Sequence, residues 1–341
     1  MALRLVSFLG LFSFLFIAWL ASERRRAFPL RTVVTGLGLQ FLFALIVLRT
    51  GPGRQVIEAV RRGFIAIVDS SRAGGEFVFG ALMPAIGAPP VLGITIICTI
   101  ILVSSLMAVL YHWGVMQRVV YAMAWVMRRV MRVSGRESLV AAANVFLGMT
   151  EAPLFIRPYL NSLSRSEMLA LMVTGLATMA GGVMAVYVGW GVNAGHLLTA
   201  SVMSAPAALT IAKIMCPPDA QPDETRGALS KPELHTHAAN VFEAVTRGAR
   251  DGLHLSLNVL AMLVAIISLL SLLNLGIGWL GGLCGIEGLS LQQMLGWICQ
   301  PLARIMGVPA ADSRIVGELL GKQIFLTEFV AYRSLAESAA Q

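Results

Sequence analysis

The longest stretch of this chain without a charged side chain runs from residue 168 to residue 212. None of these 45 residues is Asp, Glu, Lys or Arg. An α-helix rises 1.5 Å per residue, so about 20 apolar residues cross the hydrocarbon core of a bilayer. The stretch is therefore long enough for two membrane spans, with the polar segment GVNAGH (residues 191–196) as the turn between them. It predicts a helical membrane protein.

The composition of the whole chain leads to the same class. Hydrophobic residues make up 57% of the 341 residues and charged residues 13%, whereas soluble domains carry about 25% charged residues. Too little charge remains to cover a water-facing surface of this size, which excludes soluble enzymes, nucleic-acid-binding domains and disordered tails. The net charge of +8 reflects basic residues beside apolar runs, as the positive-inside rule describes. We expect no nucleic-acid partner.

Residue patterns for enzyme chemistry are missing from the sequence. The four cysteines lack CxxC spacing, and the five histidines never fall into an HExxH pattern. An intramembrane enzyme would need a nucleophile beside a base, or a cluster of metal ligands. We therefore predict that the protein is not an enzyme and has neither catalytic residues nor a cofactor.

Other apolar runs and basic segments predict the remaining helices. Additional spans are expected at residues 6–20, 33–48, 91–111 and 255–280. Two basic segments carry apolar residues at helical spacing and predict helices along the membrane interface, at residues 49–72 and 118–136. The topology of residues 49–90 stays open: either an extra crossing lies there or the interfacial helix keeps its arginines outside.

These helices divide the chain into four segments. Residues 1–90 hold two N-terminal scaffold spans and an interfacial helix. Residues 91–216 hold the third span, the basic interfacial helix, a first hairpin and two further spans. Residues 217–238 form a polar cytoplasmic loop, and residues 239–341 hold an interfacial helix, a span and a second hairpin.

Two stretches are too polar for lipid and too short to cross it twice, at about residues 138–163 and 311–338. In the first, Glu151 is the only charge among residues 138–156, and Gly148 and Pro153 can break a helix. This is typical of a re-entrant hairpin, in which two half-helices meet inside the membrane and line a cavity. The second stretch has a matching glutamate, Glu328.

The two glutamates are candidates for binding a substrate, an ion or a proton. A carboxylate in the middle of a bilayer costs about 2.5 to 3.5 kcal/mol, so it normally faces a polar cavity. Each glutamate could instead lie at the interface, and for Glu328 the neighbouring Lys322 and Arg333 leave that alternative open. Asn144 could simply join two helices, and the Thr178 hydroxyl could bond to its own helix backbone.

Four sequence blocks carry a resemblance to a known family. They are GMTEAPLFIRPYL (residues 148–160), ATMAGG with AVYVGWG (177–191), ASVMSAPAAL (200–209) and FLTEFVAY (325–332). Together they resemble the concentrative nucleoside transporter family, in the family's order and over nearly the whole chain.

The resemblance implies a nucleoside:sodium symporter that imports nucleosides across the bacterial inner membrane by alternating access. It implies an all-α polytopic membrane protein with transmembrane helices, interfacial helices and two opposed re-entrant helical hairpins, assembled as a homotrimer. A proton-coupled symporter is the first alternative. The second is a truncated nucleoside-binding membrane protein that does not transport.

The resemblance also assigns residues. Thr150 and Glu151 would hydrogen-bond the nucleoside, and Glu328 would bind the ribose hydroxyls. Val183 would line the pocket, and Met149 stands at the position that faces the nucleobase. The residues of the family's sodium site would be Asn144, the Leu147 carbonyl, Thr178 and the Met179 backbone.

The chain departs from the family's pattern at three places. Met149 replaces the usual Gln, which implies relaxed or shifted base selectivity because Met donates no hydrogen bond. Thr327 stands where Asn is usual. The sequence stops at Gln341, whereas the family continues into further membrane helices, so we expect a chain that lacks those helices.

Overall fold

A computed structural model describes residues 2–83, 91–149, 152–218, 238–283, 285 and 289–339. Within these ranges the chain forms thirteen α-helices and two short 3₁₀ helices, at Gly80–Leu82 and Ala152–Ser162. The α-helices are α1 Ala2–Leu20, α2 Leu30–Arg49, α3 Gly51–Phe79, α4 Leu92–His112, α5 Val115–Met131, α6 Gly135–Asn144, α7 Arg165–Ala177, α8 Gly181–Gly189, α9 Ala194–Met215, α10 Val241–Leu283, α11 Leu291–Ile305, α12 Ser313–Phe325 and α13 Glu328–Ala339.

Six of the described segments are long and apolar enough to cross a membrane. They are Leu3–Leu20, Leu30–Val47, Leu92–His112, Arg165–Gly189, Ala194–Met215 and Val241–Leu283. These segments match the six spans predicted from the sequence, and the all-α polytopic fold class is confirmed. The predicted interfacial segment and span after residue 240 form one helix, α10, whose 43 residues exceed the length needed for a single crossing.

The chain folds into two compact units. The smaller unit contains Met1–Ile17, Trp190–Val192 and Ser256–Gln341, and the larger unit contains Ala18–Gly189 and Asn193–Leu255. The four segments proposed from the sequence remain a prediction, and most of the loop at 217–238 lies outside the described residues.

Helix α6 lies at the centre of the larger unit. Nine of its ten residues are buried, and Ala141, Ala142 and Ala143 are completely inaccessible. Small side chains allow α5, α7 and α9 to pack closely around it, and their buried residues form one continuous core. Helix α6 is therefore a buried element, surrounded by protein rather than lipid.

Helices α6 and α7 begin with the same local motif. Ser134 accepts a hydrogen bond from the Glu137 backbone N–H, and the Glu137 carboxylate accepts one from the Ser134 N–H. Ser164 and Glu167 make the same reciprocal pair at the start of α7. This capping box satisfies backbone donors that a helix start otherwise leaves free, which explains why both helices begin where they do.

The uncharged stretch was predicted to form two spans joined by one turn, but the structure contains a second break within it. Helix α7 ends at Ala177 and α8 begins at Gly181, within the small-residue run TGLATMAGG. Thr178 already has an extended backbone, with φ −112° and ψ 161°. A run of small residues allows either close packing between helices or local unwinding of the helix. Here it interrupts a segment long enough to cross the membrane.

In the smaller unit, glycines bring α12 against α11. A Cβ atom on Gly317 would lie 2.7 Å from the Gly296 carbonyl oxygen, and one on Gly321 would lie 2.6 Å from the Leu295 Cβ. Real Cβ atoms do not approach other atoms this closely, so the two helix backbones pack as they do only because these positions lack side chains.

This close contact predicts that substitution by alanine destabilises the protein at Gly317 but not at Gly276. Gly317→Ala should lower the melting temperature of the detergent-purified protein, because overpacking against backbone costs about 1–3 kcal/mol. Gly276→Ala in α10 is the matched control: a Cβ there meets nothing within 4 Å, and Ala favours a helix over Gly by about 1 kcal/mol. Equal melting temperatures for the two variants would contradict the packing argument.

Candidate functional site

The C-terminal ends of α6 and α7 meet in the larger unit. Asn144, the last residue of α6, donates a hydrogen bond from Nδ2 to Thr174 Oγ1 on α7 at 3.2 Å. Thr174 Oγ1 in turn donates to the Ala170 carbonyl at 2.7 Å. A Cβ on Gly175 would lie 2.9 Å from the Met149 Cβ, so α7 also contacts the segment that follows α6.

The side-chain oxygen of Asn144 has a distinctive environment. Asn144 is 1% exposed, and its Oδ1 has no hydrogen-bond partner among the described residues. A buried polar atom without a partner costs about 1–3 kcal/mol. Since the amide nitrogen donates to Thr174, the oxygen is held in place as an acceptor for which the described residues supply no donor.

The turn after α6 packs against the unwound segment between α7 and α8. The Phe146 carbonyl accepts a hydrogen bond from the Gly181 N–H at 2.9 Å, and the Val145 carbonyl accepts one from Ser201 Oγ at 3.1 Å. Leu147 is buried, whereas Thr178 and Met179 are half-buried. These contacts place two interrupted helix ends side by side.

The C-terminal ends of α6 and α7 contribute backbone acceptors to this region, beside the N-terminal end of α8. The carbonyls of the last turn of a helix have no partners within the helix, and the aligned peptide dipoles place about half a negative charge there. The Thr178 hydroxyl donates to the Thr174 carbonyl at 2.8 Å, the local bond considered from the sequence, yet its oxygen keeps lone pairs for a further ligand. The arrangement suits a cation bound by neutral oxygens.

The predicted substrate residues of the larger unit are described only in part. Val183 lies in the first turn of α8 and is buried, and the Met149 side chain is 57% exposed. Thr150 and Glu151 lie outside the described residues.

Glu328 belongs to the smaller unit, where it is half-buried and begins α13. The preceding Thr327 accepts a hydrogen bond from the Val330 N–H through Oγ1 at 3.3 Å. Thr is an accepted N-cap residue, as is the Asn usual at this position. The replacement therefore keeps the helix start that carries the glutamate.

Contacts within the smaller unit hold α13 in place. The buried Phe329 ring packs edge to face on Trp190, with ring centroids 6.3 Å apart. Lys322 on α12 pairs with Glu318 at 2.8 Å and donates to Ser334 Oγ on α13 at 3.1 Å. Lys322 thus connects the two helices of the second hairpin.

Sequence reasoning missed three residues around the first hairpin: Thr174, Glu137 and Lys213. Nothing in the spacing indicates that Thr174 meets Asn144, thirty positions away. The SxxE pattern that starts α6 was a readable signal for Glu137, and the isolated Lys213 directly after the uncharged stretch was a readable signal for a buried charge.

Comparison with known proteins identifies the family. The fold defines a polytopic all-α membrane protein with interrupted helices. Three family models match the chain: the "Na+ dependent nucleoside transporter N-terminus" at residues 9–82, "Nucleoside recognition" at 93–192 and the "Na+ dependent nucleoside transporter C-terminus" at 196–341. The chain belongs to the concentrative nucleoside transporter family.

Relatives and solved structures agree with this membership. The chain is 38% identical to the Mus musculus sodium/nucleoside cotransporter 1 over 335 residues, which is 98% of this chain and 51% of that protein. It is 37% identical to the Mus musculus solute carrier family 28 member 3 over 334 residues, 98% of this chain and 47% of that protein. The chain spans about half the length of the curated relatives it matches.

Solved structures of CNTnw match over a larger share of their length. An inward-facing, substrate-bound state has a TM-score of 0.90 and 35% identity, and the match covers 98% of this chain and 79% of that chain. An outward-facing state of a CNTnw variant has a TM-score of 0.92 and 35% identity, with 98% and 81% covered.

The Asn144–Thr174 hydrogen bond predicts a selective effect on stability. Thr174→Val should lower the free energy of unfolding by about 1–3 kcal/mol, because it removes the acceptor of a buried amide group. Thr174→Ser keeps the hydroxyl and should lose less. Thermal unfolding of the detergent-purified variants provides the comparison, and a serine variant as unstable as the valine variant would disprove the role of the hydroxyl.

Proposed function

We propose that this protein is a secondary active nucleoside importer that couples nucleoside uptake to sodium across the bacterial inner membrane by alternating access. The observation that carries the proposal is the buried Asn144 Oδ1, which has no partner among the described residues and lies at the paired C-terminal ends of α6 and α7. Membership of a family whose models are described as Na+ dependent supports it.

The proposed sodium ligands are neutral oxygens. They are Asn144 Oδ1, the Leu147 carbonyl, the Thr178 hydroxyl and the Met179 backbone. Oxygen ligands suit hard cations, and unwound carbonyls with half-helix ends coordinate sodium in transporters of this kind. The hydrogen bond that the Asn144 amide nitrogen donates to Thr174 Oγ1 holds the amide group in place and leaves its oxygen as an acceptor for a ligand.

The proposed nucleoside ligands are the residues that the family resemblance assigns. Glu328 would accept hydrogen bonds from the two ribose hydroxyls, since a carboxylate is a double acceptor. Thr150 and Glu151 would bind the nucleoside, and Val183 would line the pocket. Met149 would face the nucleobase with an apolar side chain, so we expect base selectivity that differs from that of members with Gln at this position.

Coupling follows from the order of residues after α6. Asn144 precedes Met149, Thr150 and Glu151 by five to seven positions, so an ion that fixes the end of α6 also fixes the segment that carries the substrate ligands. Sodium would therefore raise nucleoside affinity, and the nucleoside would raise sodium affinity by the same factor. CNTnw has been solved in inward-facing and outward-facing states, which supports alternating access as the transport cycle.

We also propose the homotrimer that the family resemblance implies. Helix α10 supports an assembly of this kind because only 6% of its most apolar stretch is buried within the chain. Such a surface needs lipid or another subunit to cover it.

The first test is uptake of labelled uridine into proteoliposomes that contain the 341-residue chain, with an inward sodium or choline gradient. We expect saturable uptake that requires sodium. Asn144→Ala should raise the half-activating sodium concentration at least tenfold, since one buried oxygen ligand is lost, an effect of about 1.4 kcal/mol or more. The matched control is Asn161→Ala, at an exposed position, which should behave as the wild type.

Other outcomes of this assay would overturn the proposal. Uptake that rises at acid pH without sodium would favour the proton-coupled alternative, in which Glu151 or Glu328 titrates. Uridine binding without uptake would favour a nucleoside-binding protein that does not transport.

The role of Glu328 predicts a loss of discrimination between sugars. Glu328→Gln should raise the KM for uridine about tenfold or more, because hydrogen bonds to a charged acceptor contribute about 1.5–3 kcal/mol. It should affect 2′,3′-dideoxyuridine much less, since that nucleoside lacks both hydroxyls. Glu337→Gln, on an exposed carboxylate paired with Arg333, is the control. Equal losses for both nucleosides would rule out ribose binding by Glu328.

A further inference from the structure

A buried ion pair lies at the opposite end of α6 from Asn144. The Lys213 ammonium on α9 contacts the Glu137 carboxylate on α6, and their side chains are 6% and 1% exposed. Lys213 also donates to Ser166 Oγ in the first turn of α7 at 2.8 Å. Ser166 Oγ donates to the Cys216 carbonyl at 2.6 Å. The network therefore joins the start of α6, the start of α7 and the end of α9.

A contribution to folding stability does not explain why Glu137 and Lys213 are buried together. Removing two charges from water carries a large penalty, and replacing a buried pair by apolar residues of similar volume is often neutral or stabilising. Glu137 lies seven residues before Asn144, which corresponds to about 10 Å along a helix, so the pair is too far away to bind the ion that we propose at Asn144.

The Glu137–Lys213 pair lies where it can hold the start of α6 next to the start of α7. Polar connections join α6 and α7 near both ends: Glu137 to Ser166 through Lys213 at their starts, and Asn144 to Thr174 at their ends. At the starts, the Ser134 hydroxyl also interacts with the Glu167 carboxylate. The connections occur in the same order along both helices, so the helices run parallel. They are separated by seven residues on α6 and eight on α7, about two helical turns each.

Between these connections, α6 is buried and mostly apolar. It carries Leu139, Val140 and the three alanines at 141–143, together with the buried Ser138. Apolar contacts are not directional, whereas hydrogen bonds and ion pairs have a fixed geometry. The polar contacts therefore contribute the directional restraint on how far α6 extends along α7.

We propose that Glu137 and Lys213 are positioning residues for the sodium site. The pair sets the axial position of α6 relative to α7, and so the separation between Asn144 Oδ1 and the unwound segment at Thr178. A binding site must be held to within about 0.5 Å by the residues behind its ligands. This inference rests on the proposed sodium site.

The deciding variant removes both charges and keeps the local structure. In Glu137→Gln with Lys213→Met, Gln retains the capping box, Met approximates the length of Lys, and no unpaired charge remains. Melting of the detergent-purified 341-residue chain is followed across sodium chloride concentrations, with choline chloride holding the ionic strength constant, because a ligand that binds only the folded state raises its stability.

We expect the double variant to melt near the wild-type temperature without sodium and to need at least tenfold more sodium for half of the maximal stabilisation. A purely structural pair would leave the sodium dependence of the double variant at the wild-type value, which would overturn the proposal. Glu58→Gln, in the exposed pair with Arg61, is the matched control and should change neither property.

Ser166→Ala gives an independent test if the double variant fails to fold. It keeps the ion pair but removes its connection to α7, and should raise the half-stabilising sodium concentration several-fold; a wild-type value would overturn the proposed connection. Asn144→Ala separates this inference from the proposed function. If Asn144→Ala keeps the wild-type sodium curve, the sodium site itself is wrong. If Asn144→Ala loses sodium stabilisation while the other variants match the wild type, only the positioning role fails.

Discussion

A helix that ends within a membrane leaves the carbonyls of its last turn without hydrogen-bond partners, and lipid supplies none. Such an end is stable only where protein, water or a ligand meets it. In this protein α6 ends inside a protein core. The end of α7 lies beside it, although Leu176 and Ala177 in its last turn are exposed within the chain. The buried surroundings of α6 and the short turn after it follow from that requirement.

The N-terminal and C-terminal ends of α6 and α7 differ in their hydrogen-bond partners. At the starts, Ser134 with Glu137 and Ser164 with Glu167 satisfy backbone donors from within the chain. At the ends, Asn144 contributes a buried oxygen without a partner among the described residues. These two helices therefore present acceptors at their ends, which suit a cation or a hydrogen-bond donor.

The sequence was informative where a signal is local. Membrane spans follow from uninterrupted apolar runs and were predictable, whereas the interruption after Ala177 is one of two outcomes that a run of small residues allows. Asn144 stood out because an amide is unusual in such surroundings. The hydrogen bond to Thr174 and the pairing of Glu137 with Lys213 were not predictable, because they join residues 30 and 76 positions apart and depend on how three helices pack. The roles of Thr150, Glu151 and Glu328 rest on family resemblance.

The chemistry of the oxygens around Asn144 has an electrical consequence. An amide, a hydroxyl and backbone carbonyls carry no net charge and do not titrate near neutral pH. An ion bound by them keeps its whole positive charge, because none of these ligands is a carboxylate. On the proposed function, every inward cycle would then move that charge through the membrane field, which contributes about 2.3 kcal/mol per 100 mV. The resting membrane potential, and not the sodium gradient alone, would concentrate nucleoside in the cell, by a further factor of about 50 at 100 mV.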